Sequence, residues 1–363
     1  KHIGIVCYIT FRTRCSETLF HLGFRKVRKW HVSKSPPCCE VERGEVMKKT
    51  WYLIIGVVLL VIGCIAYGYH EHHKPKTAQE LKTVRVAYLP ITHALPVFAT
   101  KELETADGPV HVELVKYGSW PELMDALNTG KVDAASVLVE LGVKAREQGI
   151  DVRAAALGHT EGNIIIVNKD INSVQDLKGK SFAIPHKQST QKILVDLMLE
   201  QAGLSEKDVQ IVEMSPPEMP SALSVGQIAG YSVAEPFGSL ALEMGTGKVF
   251  EDPDHLWHDN ICCALVFNGQ FVDEHHDLAK AFTKAYLDAG TYLDEHPQAQ
   301  EEISSKYMKF NDSVIERSLK VIGFKDLALT EDRYNALVHH MTHIDLIKKV
   351  PTYSEFVDTS LLP

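Results

Sequence analysis

The sequence predicts an α/β fold built as two lobes, with a helical part toward its carboxyl-terminal end. From residue 84 onward, short apolar segments of strand length alternate with segments of helical length, which is the pattern of βαβ units. The chain has 363 residues, enough for about two domains with sizeable cores. After residue 268 only helical segments follow, so we expect the chain to cross between the lobes twice.

The predicted elements are bounded by turn residues. Ser119 is a candidate N-cap for the helix at 120–129, and Gly130 is its carboxyl-terminal stop. The predicted strands cover 84–89, 110–117, 132–139, 152–157, 163–169, 181–185, 208–214, 229–235 and 261–268. The predicted helices cover 95–101, 120–129, a segment ending near 149, 190–202, 219–226, 277–295, 298–309, 313–322 and 331–344.

Composition excludes several protein classes. Apolar residues make up 45% and charged residues 23%, which argues against global disorder, collagen and a multi-span membrane protein. The net charge of −9 does not favour nucleic acid as a partner, and seven cysteines are too sparse for a disulfide scaffold. When the nine basic and four acidic residues before Met47 and then Lys48 and Lys49 are set aside, 27 basic and 43 acidic residues remain, so the remainder carries about −16.

Residues 47–64 have the order of a secretory signal. Two lysines after Met47 precede an apolar run, and Gly63 directly precedes Cys64, which resembles the lipobox of bacterial lipoproteins. We therefore expect Cys64 to be the lipid anchor at the extracytoplasmic face of the cell membrane. A single-span N-terminal anchor and an internal helix are the alternatives, since the run is about as long as a bilayer span.

The segment before Met47 is expected to lie outside the natural protein. A secretory signal belongs at the amino terminus, and Arg43–Val46 matches the translation of a purine-rich ribosome-binding sequence. The alternative is a cytoplasmic extension; a metal site at Cys38 and Cys39 is disfavoured because no second Cys/His pair lies at ligand spacing. Residues 65–82 are expected to form a polar tether.

Five segments carry a family resemblance in order along the chain. They are VRVAYLPITHALP (84–96), KYGSWPELMDALNTGKVDAA (116–135), VQDLKGKSFAIP (174–185), SALSVGQIAGYSVAEPF (221–237) and FVDEHHDLAKAF (271–282). Over roughly 83–345 the chain resembles the substrate-binding proteins of ABC importers for nitrate, sulfonate, taurine and bicarbonate, including relatives that bind thiamine-pyrimidine precursors.

The resemblance implies a two-lobed type II periplasmic-binding fold with a ligand cleft between the lobes. The first lobe would comprise 83–168 plus 266–345, the second 169–265, and the tail 346–363. Hinge closure on a small solute would be followed by delivery to a permease with its ATPase subunit. The resemblance implies a monomer without cofactor, metal or catalytic activity.

Candidate ligand-binding residues lie in loops at the carboxyl ends of the predicted strands, where open α/β sheets bind ligands. An indole there offers a flat wall and one N–H donor, and the helix start after SFAIP offers free N–H groups to an anion. Core packing and helix capping are the alternative roles. The candidates are Thr92, His93, Ser119, Trp120, Ser136, Glu140, His159, Glu161, Asn163, His186, Lys187, Ser189, Thr190 and Glu235.

The identity of the solute stays open at this point. Nitrate-binding members carry a lysine on the strand that corresponds to 260–264, and this chain has none there. The loop at 187–190 also lacks the glycines of the anion-binding members, so nitrate and bicarbonate are disfavoured. A sulfonate or taurine-like solute ranks first, and a thiamine-type pyrimidine is the alternative.

Cys262 and Cys263 raise an enzyme alternative, because synthases of the same fold carry a cysteine cluster on what resembles this strand. The export signal and the absence of a Ser-His-Asp elbow, an HExxH sequence or a P-loop disfavour it. Adjacent strand residues point to opposite faces. This alternation predicts one cysteine in the core and the other at a lobe surface or cleft. Two buried small hydrophobic residues are the favoured interpretation, and a strained vicinal disulfide is the alternative.

Overall fold

The computed structural model describes residues 51–64, 67 and 82–363. The chain divides into two compact units, Lys1–Pro75 and Lys76–Pro363. In the first unit, residues 51–64 form helix α1, whose large apolar side chains are exposed. Within the described part of the chain, no helix has both the length and the apolarity to cross a bilayer. The predicted extension before Met47, the first residues of the predicted signal and nearly all of the predicted tether lie outside the described residues.

The second unit contains twelve described strands and thirteen described α-helices. The strands are β1 Thr83–Tyr88, β2 His111–Lys116, β3 Ala134–Leu138, β4 Val152–Leu157, β5 Thr160–Glu161, β6 Asn163–Asn168, β7 Ser181–Ile184, β8 Gln210–Glu213, β9 Gly230–Ala234, β10 Gly247–Glu251, β11 Cys263–Asn268 and β12 Ile322–Gly323. The helices are α2 Leu95–Glu102, α3 Trp120–Asn128, α4 Val139–Glu147, α5 Thr190–Gln201, α6 Met219–Ser224, α7 Phe237–Glu243, α8 Pro253–Leu256, α9 Gly269–Glu274, α10 His276–Glu295, α11 Pro297–Met308, α12 Asp312–Leu319, α13 Glu331–His343 and α14 Tyr353–Phe356.

Two five-stranded sheets organise this unit. The first has the order β2-β1-β3-β11-β4, and the second has the order β10-β6-β9-β7-β8. In the first sheet β1 pairs in parallel with β2 and β3, whereas β11 runs antiparallel to β3 and β4. In the second, β7 pairs in parallel with β8 and β9, whereas β6 runs antiparallel to β9 and β10. We call each sheet with its covering helices the first and the second lobe.

The central strands are apolar and buried along their whole length, as expected for sheets covered by helices. Every residue of β3, β9 and β11 is buried. The chain leaves the first sheet after β4, enters the second at β6, and returns to the first at β11. The ligand-side loops of both sheets therefore adjoin the two segments in which the chain changes sheet.

Most predicted elements match the structure closely, and the differences have local causes. Gly130 ends helix α3 with a left-handed φ of +70°, as its role as a stop requires. Ser119 lies at the N-cap of α3 with extended backbone, but its side chain makes no capping hydrogen bond. The strand predicted from residue 261 begins at Cys263, and the helix predicted to residue 322 ends at Leu319, before β12.

The carboxyl-terminal tail packs against the first lobe. Phe356 is fully buried, and a side chain at Gly142 of α4 would come within 2.9 Å of its ring, so glycine leaves room for it. The Glu147 carboxylate accepts hydrogen bonds from the backbone N–H groups of Lys348 and Lys349 at 2.7 and 2.9 Å. Burial and hydrogen bonding therefore hold the tail to helix α4.

Candidate functional site

The two lobes meet along a buried polar seam, formed by residues that follow strands of both sheets. Thr190, the first residue of α5, donates its hydroxyl to Glu140 Oε1 at 2.5 Å and lies 2.7 Å from the Ile261 carbonyl. Thr92, after β1, donates both its backbone N–H and its hydroxyl to the Glu235 carbonyl, at 3.0 and 2.9 Å. The ligand-side ends of the two lobes are thus in direct contact.

Two imidazoles and two thiols gather at the base of this seam. His93, His159, Cys262 and Cys263 are all buried, and each offers one ligand atom within 4.8 Å of the others. The two Sγ atoms are 3.9 Å apart, and Cys263 Sγ lies 3.5 Å from His93 Nδ1. The two imidazole centroids are 3.6 Å apart. We call these four residues the His-Cys cluster.

Both cysteines are buried, as the favoured interpretation requires, but the expectation that they point to opposite faces is wrong. Both side chains are buried and lie side by side, because β11 begins at Cys263 and Cys262 precedes the strand, where the alternation of faces does not apply. From the sequence we expect His93 and His159 to bind the solute and expect no metal site, whereas the fold brings four potential metal ligands together from segments up to 170 residues apart.

Burial and mutual contact tune the cluster electrostatically. Burial raises the pKa of the Cys262 thiol, but the hydrogen bond with Cys263 and the neighbouring His93 outweigh it, so that pKa lies well below its usual range. Burial and the adjacent His93 lower the pKa of His159 to about 4, so this ring is neutral at ordinary pH. The cluster therefore combines a thiol that ionises readily with a neutral imidazole, the states in which both groups bind metals.

A chain of amides covers the cluster from the second lobe. Gln191 Nε2 donates to Cys262 Sγ at 3.3 Å and to Asn163 Oδ1 at 2.7 Å. Asn163 Nδ2 in turn donates to Asn260 Oδ1 at 3.0 Å. Gln191 Oε1 and His159 Nδ1 are buried and lack a hydrogen-bond partner among the described residues.

Two carboxyl groups occupy comparable places in the two lobes but differ in how many of their oxygens accept a hydrogen bond. Glu235, directly after β9, accepts from the backbone N–H and the hydroxyl of Ser239, both at 2.9 Å. Glu140, just after β3, has one oxygen bound by Thr190, and its Oε2 is buried with no partner in the described structure. Burial raises the pKa of both, and for Glu140 the neighbouring Cys262 adds to the effect.

An acidic groove of about 420 Å³ opens beside the seam. Its lining includes Gly162, Asn163 and Asn260, which touch the cluster or its amide cover. Four carboxylates and one lysine complete its charged lining: Glu161, Glu251, Asp252, Asp254 and Lys320. This groove is therefore a negatively charged approach to the buried seam.

The structure brings about half of the predicted ligand residues together. Those at the seam are Thr92, His93, Glu140, His159, Asn163, Thr190 and Glu235. Trp120 and His186 instead line a separate depression of about 150 Å³, and exposed Glu161 lines the acidic groove.

The other predicted ligand residues lie at a helix cap, within a strand or on the surface. Ser189 caps α5 by accepting from the Lys192 N–H at 3.1 Å, which is the capping alternative. Ser136 is buried within β3, opposite Leu265. Lys187 is exposed and lies 3.9 Å from Glu213. Ser119 lies half-buried at the start of α3.

Gln191 and Asn260 were missed by sequence reasoning. The only signal for Gln191 was its position directly after Thr190 at a helix start, and Asn260 precedes the cysteine pair. Their partners lie 28 to 97 residues away in the chain, so no local spacing marks them.

Comparisons with known proteins agree on one family. The model of the NMT1-like family matches residues 77–307. The ligand-binding component of an ABC-type import system from Staphylococcus aureus, a crystal structure with zinc bound, is 36% identical, with 77% of this chain and 97% of that chain covered and a TM-score of 0.74.

Two curated relatives differ in how much of their length is matched. A Bacillus subtilis protein named for binding aliphatic sulfonates is 29% identical, over 76% of this chain and 82% of its own length. The nitrate import ATP-binding protein NrtC of Synechocystis is 25% identical over 60% of this chain, and the match spans 36% of its length.

Proposed function

We propose that this chain, which belongs to the NMT1-like family and to the substrate-binding proteins of sulfonate, taurine and nitrate ABC importers, captures its solute at the seam. It then delivers the solute to a permease driven by an ATPase subunit. Its role in this proposal is binding, without catalysis. The lobes close over the solute by hinge motion of the two segments in which the chain changes sheet.

One observation carries the proposal: groups from both lobes meet in a buried polar seam at the ligand-side ends of their strands. The contacts of Thr190 with Glu140 and of Thr92 with Glu235 each join opposite lobes. Open α/β sheets bind ligands at this place, and a solute held there would touch both lobes and favour the closed form.

We propose an amino-sulfonate, with taurine as the representative solute. The Bacillus relative's name supports a sulfonate. Glu140 Oε2 and Gln191 Oε1 are acceptors without a partner in the described part of the chain, which favours a solute that also donates hydrogen bonds, as an ammonium group does. A thiamine-type pyrimidine, whose amino group donates as well, is the second candidate on the same observation.

We propose that Cys64 anchors the protein to the extracytoplasmic face of the membrane through lipid. Cys64 is exposed at the end of α1, after its apolar side chains, and forms no disulfide with the other described cysteines. Mass spectrometry of the Cys64 peptide from membranes of the producing cell is expected to show diacylglycerol. An unmodified Cys64 within an uncleaved chain would contradict the lipid anchor.

A thermal-shift comparison tests the solute. Taurine at 100 times its Kd should stabilise the protein by about 2.7 kcal/mol, whereas ethanesulfonate, which lacks the amine, and nitrate should shift Tm much less. Stabilisation by an aminopyrimidine and not by taurine would replace the first candidate with the second. Stabilisation by neither would overturn both.

A further inference from the structure

We propose that the His-Cys cluster is a binding site for a single thiophilic divalent metal ion, with Zn²⁺ as the representative. This inference goes beyond the proposed function, because it concerns the four side chains at the base of the seam and holds whichever organic solute binds above them. The ligands would be the two Cys Sγ atoms and one ring nitrogen from each of His93 and His159.

The spacing of the ligand atoms matches tetrahedral coordination. With Zn–S bonds of about 2.3 Å and Zn–N bonds of about 2.0 Å, tetrahedral geometry puts two sulfurs about 3.8 Å apart and a sulfur and a nitrogen about 3.5 Å apart. The two Sγ atoms are 3.9 Å apart, and Cys263 Sγ lies 3.5 Å from His93 Nδ1. The ion therefore requires only small adjustments of side chains that already face one another.

Charge balance favours a divalent ion. Two thiols bind as thiolates and release two protons, so Zn²⁺ with two thiolates and two neutral imidazoles forms a site with no net charge. This matters because all four residues are buried, where an uncompensated charge is costly. Cu⁺ with the same four ligands would leave a net negative charge in the same surroundings.

Neighbouring groups orient the ligands as outer-shell partners do in metal sites. His93 Nε2 lies 3.0 Å from the Gly162 carbonyl, which leaves Nδ1 directed at Cys263. Gln191 Nε2 donates to Cys262 Sγ at 3.3 Å. His159 Nε2 lies 3.4 Å from the Cys263 backbone nitrogen, and its Nδ1 is buried with no hydrogen-bond partner among the described residues.

The acidic groove supplies a route by which a cation could reach the cluster. Gly162 lines the groove and contacts His93, and Asn163 lines it and contacts Gln191. The carboxylates at its mouth attract cations, which raises the local concentration of the ion.

Metal titration of the full chain, reduced and purified in mild detergent, tests the proposal. Zn²⁺ competed against a chromogenic chelator should give one more bound equivalent in wild type than in Cys262→Ser/Cys263→Ser. Replacing Gln191 by Leu should weaken that equivalent by roughly 10–100-fold, the usual cost of losing an outer-shell partner. Cys64→Ser and His255→Asn replace exposed metal-type side chains that are not members of the cluster, and they should bind as wild type does.

X-ray absorption of the wild-type protein loaded with one equivalent of Zn²⁺ gives a readout that needs no variant. Two sulfur and two nitrogen neighbours are expected. Coordination by oxygen and nitrogen alone, an equal number of equivalents in wild type and the double variant, or tight Cu⁺ binding without Zn²⁺ binding would overturn the proposal. Taurine binding is scored separately, so the metal site and the proposed function can fail independently.

Discussion

The two lobes share one strand arrangement but present different chemistry to the seam. When the second sheet is taken as β8-β7-β9-β6-β10, each sheet has three parallel strands followed by an antiparallel fourth. The first lobe and the chain crossings contribute thiols, imidazoles and Glu140 with a free oxygen. The second contributes hydroxyl and amide groups and a satisfied Glu235. The same strand arrangement can therefore present potential metal ligands in one lobe and hydrogen-bonding groups in the other. The reason is that the functional side chains lie in the segments after the strands, and these segments differ in sequence.

The largest expected effect is the loss of solute affinity when Glu140 of the first lobe is replaced. Glu140→Gln removes the carboxylate that can ionise against an ammonium group, and a hydrogen bond to a charged group contributes about 1.5–3 kcal/mol, or roughly 10–100-fold in Kd. Isothermal titration with taurine measures it. Glu113→Gln, at an exposed position of β2, is the matched control and should change Kd little. An unchanged Kd in Glu140→Gln would remove Glu140 from the site.

In the second lobe the corresponding carboxyl group, that of Glu235, is expected to stabilise the fold and not to bind the solute. Glu235→Ala leaves the Ser239 N–H and hydroxyl without their acceptor, so the free energy of unfolding should fall by about 1–3 kcal/mol in urea denaturation. Glu235→Gln, which keeps an acceptor oxygen, should recover part of the loss. A fall in taurine affinity with unchanged stability would instead make Glu235 a ligand group and erase the difference between the lobes.

Helix starts offer a smaller contrast. Ser189 accepts from the Lys192 N–H, whereas Ser119 makes no capping bond. Ser189→Ala should therefore cost about 1 kcal/mol of stability, and Ser119→Ala only a few tenths of that. Chemical denaturation of both variants measures the difference. Equal losses of stability would show that the capping hydrogen bond of Ser189 does not stabilise its helix measurably. A loss of taurine affinity in Ser189→Ala would instead restore the predicted role of Ser189 as a ligand-binding residue.

The smallest effect is a pH dependence confined to the first lobe. Hydrogen bonds from Lys144 and from the backbone of Lys349 and Lys348 lower the pKa of Glu147 to about 2. Since this pKa is depressed, its stabilisation is present above the unfolded pKa of about 4.5 and is lost as pH falls toward 2. Glu147→Gln should lower the free energy of unfolding at pH 7 by ~0.2–1 kcal/mol, the usual range for an ion pair near the surface, and lower Tm slightly. The difference should vanish near pH 2. A constant difference across this range would show that the carboxylate's charge is not responsible.

The sequence predicted the repeating strands and helices because each has a local signal. The strand predicted at 152–157 is β4, and the helix predicted at 190–202 is α5, Thr190–Gln201. Loops after strands were identified as ligand positions, which brought His93 and His159 onto the list of candidates. The same rule also selected Ser119 and Lys187, which the structure places away from the seam, because a loop position does not state which way its side chain points.

What the sequence determined by itself is therefore most of the elements, the family and the strand ends at which candidate ligand residues lie. Hydrophobic periodicity and turn residues act over a few positions, so they can be recognised without the fold. Only the tertiary structure decided that Cys262 and Cys263 lie side by side and join His93 and His159 under the cover of Gln191. These groups come from segments separated by as many as 170 residues, and their meeting depends on the pairing of β11 with β3 and β4, for which no local pattern exists.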